Sequence, residues 1–99
     1  MAPDGNISAD LPVDQRALSK LKWRCRRGLL ENDLFIERFF ARHEDSLTMR
    51  HAQALSRLMD LSDNDLLDIH LGRRSAAEVD PSLDTADIAR VVNMLQRHH

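Results

Sequence analysis

The chain is short of the residues on which several structural classes depend. It has one cysteine, which excludes an internal disulfide and a cysteine-based zinc cluster. No apolar run approaches the roughly 20 residues that a membrane-spanning helix needs, so no membrane insertion is expected. Tyrosine is absent, and glycine and proline number three each. With few Val and Thr residues as well, β-strands are disfavoured.

The chain also has no motif that would indicate catalysis. It contains no glycine-rich phosphate loop, and local spacing assembles no nucleophile with an adjacent base. We therefore do not expect an enzyme. The first fifteen residues hold three aspartates and no base, unlike a secretory signal or a mitochondrial presequence. These features together favour a soluble cytoplasmic protein, most simply a bacterial one.

Leu, Ala, Arg, Asp and Met dominate the 99 residues, and this composition is typical of short helices with polar faces. The length fits one small domain. We predict an all-α fold, a small five-helix bundle over residues 15–97. Residues 1–14, rich in proline, glycine and polar side chains, are predicted to be a disordered lead.

Apolar spacing and capping residues place the five helices. Asp14 is the expected cap of the first, whose stripe is Leu18, Leu21 and Cys25 and which ends at Gly28. The others are predicted from Leu29 or Leu30 to about His43, over about 49–60, from Ser62 to Gly72, and after Asp84 or Thr85, with a loop over 73–83. The second helix carries the widest apolar face: Leu30, Leu34, Phe35, Ile36, Phe39 and Phe40.

Charge is strongly segregated although the net charge is only −2. Residues 16–27 hold six bases and no acid, whereas residues 28–99 hold eight arginines against thirteen acids. A basic helix is typical of nucleic-acid binding, but the acidic remainder would repel a polyanion. Nucleic acid is therefore not expected as a partner.

Three groups of residues have a simple structural interpretation beside a chemical one. The aspartates near Asp63 lack the glycine and terminal glutamate of a calcium loop, so we interpret them as helix caps and solvated charge. His43, His51 and His70 lie far apart and are interpreted as surface or helix-end residues. Cys25 has basic neighbours but falls on the apolar stripe, which favours an inert buried thiol.

The segment around Gly28 is the most unusual in the chain. It joins the only tryptophan, Trp23, and a cluster of bases to two acids, Glu31 and Asp33. On spacing alone the simplest interpretation is a helix C-cap followed by a helix with an acidic first turn. In that interpretation Trp23 lies off the apolar stripe, beside the bases.

Three patterns of this chain occur together: Trp23-x-Cys25-Arg26-Arg27-Gly28-x-x-Glu31-x-Asp33, then Phe39-Phe40, then Asp45-Ser46-Leu47. In these patterns the chain resembles the succinate dehydrogenase assembly factors that promote flavinylation. The family's hallmark Arg-Gly-x-x-Glu is present as Arg27, Gly28 and Glu31. Two positions depart from its pattern: Glu44 replaces a common aromatic residue, and Ile69 replaces a common tryptophan.

The resemblance implies a non-catalytic factor that binds the flavoprotein subunit of succinate dehydrogenase and promotes covalent attachment of FAD to it. The flavoprotein of fumarate reductase is a second candidate client. FAD would be attached to the client, with no cofactor bound stably here, and a monomer is expected. The predicted partner-binding residues are Trp23, Arg26, Arg27, Gly28, Glu31, Asp33 and Asp45. An antitoxin-like or regulatory protein-binding module remains the alternative.

Overall fold

The computed structural model describes residues 11–26 and 28–96. Over this part of the chain there are six α-helices and no strand. The helices are α1 (Gln15–Arg24), α2 (Leu30–His43), α3 (Met49–Leu58), α4 (Asp63–His70), α5 (Ala76–Val79) and α6 (Ala86–Gln96). Short 3-10 turns cover Glu44–Ser46 and Pro81–Leu83. The all-α prediction is confirmed. Five of the six helices have eight residues or more and α5 has only four, so the observed number of helices is close to the predicted five.

Side-chain caps start most of the helices where the sequence predicts them. Asp14 accepts a hydrogen bond from the backbone of Ala17 at 2.7 Å, and Ser62 does the same for Asp65 at 3.2 Å. Thr85 caps α6 by accepting from Ile88. Each cap satisfies a backbone N–H that has no partner inside its own helix.

The core forms where α2 packs against α4 and α6, while α3 contacts α6 and α1. At most 1% of the surface is exposed for four core residues: Phe39, Leu55, Leu66 and Val91. The predicted stripe of α1 is also buried, through Leu18, Leu21 and Cys25. The helix α2 contributes to the core, but α6 contacts α2, α3, α4 and α5, so the prediction that α2 is the central helix is not confirmed.

The apolar face predicted for α2 is wrong in its first half. Leu30 and Leu34 are 66% and 41% exposed, while the polar Asn32 is completely buried. The buried residues Asn32, Ile36, Phe39 and Phe40 follow helical spacing, so they define the inward face. Leu30 and Leu34 lie on nearly the opposite side of the helix and remain on the surface.

Three further predictions about boundaries and burial are corrected. The helix α1 ends at Arg24, earlier than Gly28. The segment 73–83 is not an uninterrupted loop, because a capping box between Ser75 and Glu78 starts α5. At the end of α4, Leu71 is 46% exposed whereas His70 is buried, so of the two predicted alternatives His70 is a helix-end residue and not a surface residue.

The start of the described chain pairs with the segment before α3. The backbone N–H of Val13 donates to Leu47 at 3.0 Å, and that of Met49 donates to Leu11 at 2.9 Å. Residues 1–10 of the predicted disordered lead lie outside the described residues. Within the described ranges, no helix has both the length and the apolar character to cross a membrane.

Candidate functional site at the junction of the first two long helices

Helix α1 ends before Gly28, and its last residue, Arg24, binds to residues of α3 and of the turn after it. The Cys25 N–H donates to Leu21 at 3.0 Å, and the Arg26 N–H donates to Trp23 at 3.2 Å. Arg24 donates to the hydroxyl of Ser56 at 2.7 Å and also pairs with Asp60. Both Arg24 and Arg26 are exposed, and Arg24 links α1 to the end of α3 through these contacts.

Gly28 is needed for the backbone conformation of the connection between α1 and α2. Its φ is +92°, a value that residues with a Cβ rarely adopt. A Cβ built on Gly28 would meet no atom within 4 Å among the described residues, so the space beside it is open. Glycine is therefore required here by the backbone conformation of the connection and not by a lack of space for a side chain. Arg27, the first residue of the predicted motif, lies outside the described residues.

Trp23 forms an exposed apolar surface next to this connection. Its side chain is 72% exposed, and the Arg26 guanidinium lies 5.4 Å from its ring centroid. Leu30, the first residue of α2, is exposed to a similar extent. Tryptophan and arginine are the residue types most enriched at the energetic centres of protein interfaces. The prediction that Trp23 lies off the buried stripe is confirmed.

Glu31 and Asp33 lie in the first turn of α2, as predicted. The residue before the helix, Leu29, offers no side-chain cap, and acidic groups here interact favourably with the helix dipole. Glu31 is exposed, and Asp33 is half-buried. The dipole explains why acids are tolerated at both positions, and exposure leaves the Glu31 carboxylate accessible to a partner.

A surface groove runs between α1 and α2, with a volume of about 700 Å³. Its α1 wall includes Lys22, Trp23 and Arg26, and its α2 wall includes Asp33 and Glu37. One wall is therefore basic and the other acidic. Besides Trp23, two predicted site residues line the groove: Arg26 on the basic wall and Asp33 on the acidic wall.

The groove is bridged by a contact between α1 and the segment that follows α2. The ammonium group of Lys22 lies 2.7 Å from a carboxylate oxygen of Glu44 and 5.6 Å from the Phe40 ring centroid. Asp45, the next residue, is exposed in the 3-10 turn and does not line the groove. The structure thus groups Trp23, Arg26 and Asp33 around one groove, and it leaves Asp45 outside that group.

Sequence reasoning missed Asn32, which holds the predicted motif in place from inside. Its side chain is fully buried, and its Nδ2 donates to the carbonyl oxygen of Asp63 at 3.0 Å. The signal was available: Asn32 precedes Ile36 by four residues and Phe39 by seven, which puts it on the buried stripe. The bond joins the first turn of α2 to the first turn of α4.

His70 is the second buried polar residue that the sequence did not reveal. Its ring stacks on that of Phe35, with centroids 4.7 Å apart and planes 4° from parallel. Neither ring nitrogen finds a hydrogen-bond partner among the described residues. Burial lowers the pKa of His70 from 6.5 to about 4, so the imidazole is neutral near pH 7.

Two acidic residues of α4 take part in ion pairs. Arg74 pairs with both Asp65 and Asp68, and this contact together with Ser62 lowers the pKa of Asp65. Among residues 11–26 and 28–96, no group of three potential ligands is placed to hold a metal ion. The thiol of Cys25 is fully buried. Asp65 and Asp68 therefore form ion pairs and are not simply the predicted caps and solvated charge, whereas the prediction that Cys25 is a buried thiol is confirmed.

The chain is similar to a family of known assembly factors. A family model described as the flavinator of succinate dehydrogenase matches residues 19–99. The FAD assembly factor SdhE of Ralstonia nicotianae is 42% identical over 83 residues, which cover 84% of each chain. Those of Legionella pneumophila and Coxiella burnetii are each 41% identical, over 54 and 56 residues, covering 54% and 57% of this chain and 68% of each relative. No solved structure is significantly similar to the chain.

Proposed function

This chain belongs to the flavinator of succinate dehydrogenase family, and on that premise we propose that it binds the flavoprotein subunit of succinate dehydrogenase and promotes covalent attachment of FAD to that subunit. The match spans four of the five long helices completely and most of α1. The proposal is supported above all by this match, together with the exposed surface at the position of the family's motif. We define the junction surface as Trp23, Arg26, Gly28, Leu30 and Glu31.

In this proposal FAD is the substrate of a reaction that takes place on the client. The residues of the junction surface are suited to recognition: an indole, a guanidinium group, a carboxylate and an open glycine. None of these is an activated nucleophile. The factor therefore acts as a non-catalytic binding protein that holds the client in a conformation competent for flavinylation, and the bond-forming chemistry belongs to the flavin and the client.

Each feature of the junction surface has a separate role in docking. The open space beside Gly28 lets the backbone of the client approach the connection closely. The Glu31 carboxylate accepts hydrogen bonds from the client, and the Arg26 guanidinium donates them. Trp23 and Leu30 supply apolar area that is buried on binding. We include Arg27, Asp33 and Asp45 as further contacts from the sequence pattern.

The proposal is tested by comparing two glycine variants, Gly28→Ala and Gly72→Ala. Both glycines have positive φ, +92° and +75°, and neither position would bring a new Cβ closer than 3.9 Å to a described neighbour. The two changes therefore impose a similar backbone strain. Covalent flavin on the client subunit is measured by in-gel fluorescence, and client affinity is measured on the purified proteins.

We expect Gly28→Ala to reduce flavinylation and client affinity far more than Gly72→Ala does, at matched loss of thermal stability. Equal effects of the two variants would mean that strain alone causes the defect, and the docking role of Gly28 would then be abandoned. Wild-type protein that neither binds the client nor raises its flavin content would overturn the function itself.

The same experiment distinguishes the remaining parts of the proposal. The flavoprotein of fumarate reductase, offered in parallel, tests the second client. A regulatory protein-binding module would instead retain a different partner when the tagged chain is purified from its native host. We place the protein in the bacterial cytoplasm as a monomer, and sedimentation of the purified chain tests the oligomeric state.

A further inference from the structure

We infer that the groove between α1 and α2 receives a segment of the flavoprotein client, one that inserts a large apolar side chain between a basic and an acidic wall. The inference rests on the proposed function and deepens it, because it identifies a second contact region beside the junction surface. The observations that carry it are the shape of the groove, its exposed apolar residues and the opposite charges of its walls.

The groove has an apolar interior and an exposed apolar rim. Ile36 and Phe40 line it from the core, and Trp23 and Leu30 line it from the surface. Exposed large apolar side chains gathered around a concavity mark interaction sites in proteins of this size. On α1 the lining runs from Ser19 to Trp23, which corresponds to about 6 Å along the helix, and Cys25 and Arg26 extend it just past the helix end. That length accommodates a short segment rather than a whole domain face.

The walls define the chemistry of the segment. Lys22 and Arg26 line the α1 side, and Asp33, Glu37 and Glu44 line the α2 side. Lys22 and Glu44 already neutralise each other across the groove. The exposed Arg26 and Glu37 remain as opposite charges on the two walls. A segment with a carboxylate facing α1 and a cation facing α2 is complementary to this pattern.

A second copy of the chain fits the groove poorly. In a twofold dimer whose axis passes through the groove, one concave groove would face another and both apolar interiors would stay unfilled. A convex segment of a different protein fills the concavity. The junction surface shares Trp23, Arg26 and Leu30 with the groove lining, so one client can contact both.

The test is Ala41→Trp, which fills the groove without changing charge or touching Gly28 and Glu31. Ala41 lines the groove from α2 and is exposed. The matched control is Ala89→Trp, at an exposed position on α6 outside this groove. The probe is the apo flavoprotein subunit of succinate dehydrogenase from the same host. We expect Ala41→Trp to weaken its binding about tenfold or more and Ala89→Trp to leave it unchanged.

A charge reversal gives an independent measure at the same groove. Glu37→Arg replaces one of the three acids of the α2 wall with a base, whereas Arg38→Glu changes an exposed neighbour that does not line the groove. Glu37→Arg is expected to weaken client binding about tenfold, and Arg38→Glu is expected to leave it within about twofold.

The outcomes separate this inference from the proposed function. If Ala41→Trp and Glu37→Arg both bind the client normally while Gly28→Ala binds it weakly, the client does not occupy the groove and only the junction surface is retained as a contact. Loss of self-association by Ala41→Trp with normal client binding overturns it in favour of a second copy as the occupant. Absence of client binding by the wild type overturns both proposals.

Discussion

Asn32 and Asp63 connect the beginnings of two helices: the side-chain amide of Asn32 donates to the carbonyl oxygen of Asp63 over 3.0 Å. Asn32 stands between Glu31 and Asp33, the two acids of the predicted motif, and it alone of the three is fully buried. The helix α2 has no side-chain cap. The position of its first turn, and hence of the Glu31 carboxylate, therefore depends on a contact made inside the protein.

Replacing Asn32 with alanine removes this hydrogen bond and leaves a small cavity. We expect Asn32→Ala to lower the free energy of unfolding by about 1–2 kcal/mol and the melting temperature by roughly 5–10 °C. The matched control is Asn64→Ala, because Asn64 is exposed in the first turn of α4. Urea unfolding of the two variants checks the prediction. Equal stabilities would show that the Asn32 bond contributes nothing.

The sequence predicted those parts of the fold that depend on local signals. The caps at Asp14, Ser62 and Thr85 and the stripe ending in Cys25 were all recognisable from residue type and spacing. The orientation of α2 was not, because its two faces both carry large apolar residues. Only the packing of α4 and α6 decides that Ile36 is buried and Leu34 is exposed.

The candidate site was predicted as a list of residues, and its geometry was not. Spacing placed Trp23 off the core, and the structure agrees; it placed Gly28 at the end of α1, whereas the helix ends at Arg24 and Gly28 lies in the connection that follows. The spacing of residues in the sequence gave no indication that α1 and α2 enclose a groove with walls of opposite charge, because the groove depends on how the two helices pack. The role of Asp45 as a contact remains a prediction from the resemblance.

The stability of the protein is expected to fall between pH 6.5 and pH 4 because of His70. Burial holds its folded-state pKa at about 4, while the unfolded side chain takes up a proton near 6.5. The unfolded state therefore binds more protons in this window, and the free energy of unfolding decreases as the pH is lowered. The loss from this group approaches about 3 kcal/mol by pH 4.

A leucine at this position isolates the contribution of His70. His70→Leu replaces two ring nitrogens that have no hydrogen-bond partner among the described residues with an apolar side chain, so we expect stability at pH 7 to be kept or raised. We also expect the free energy of unfolding to depend less steeply on pH between pH 4 and pH 6.5. Some slope will remain, because burial and the nearby Arg90 also lower the pKa of His51. Chemical unfolding over this pH range makes the comparison. An unchanged slope in His70→Leu would contradict the assignment.

Cys25 is expected to resist alkylation in the folded protein. Its thiol is fully buried at the end of α1, so a reagent reaches it only when the structure opens. The matched control is Ser19→Cys in the Cys25→Ser background, which puts the single thiol at an exposed position of the same helix. We expect native Cys25 to react slower than the control by a factor on the order of 100. Equal rates would show that the thiol is accessible and reopen a redox role.

Glu31 is expected to contribute to client binding and little to folding. Its carboxylate is exposed in the first turn of α2, where its interaction with the helix dipole is worth about 0.3–1 kcal/mol. Glu31→Gln keeps the size of the side chain and removes the charge, so we expect client affinity to fall about tenfold and the melting temperature to fall by no more than about 5 °C. Titration calorimetry against the apo flavoprotein measures the affinity.

The control for Glu31→Gln is Glu78→Gln at the start of α5, where glutamate forms a capping box that glutamine also supports. Both variants lose one negative charge, so a general effect of net charge on association would weaken binding equally in the two. A loss confined to Glu31→Gln assigns the effect to the junction surface. Unchanged affinity in Glu31→Gln would remove this carboxylate from the proposed contact, and docking would then have to depend on Trp23, Arg26 and the open backbone at Gly28.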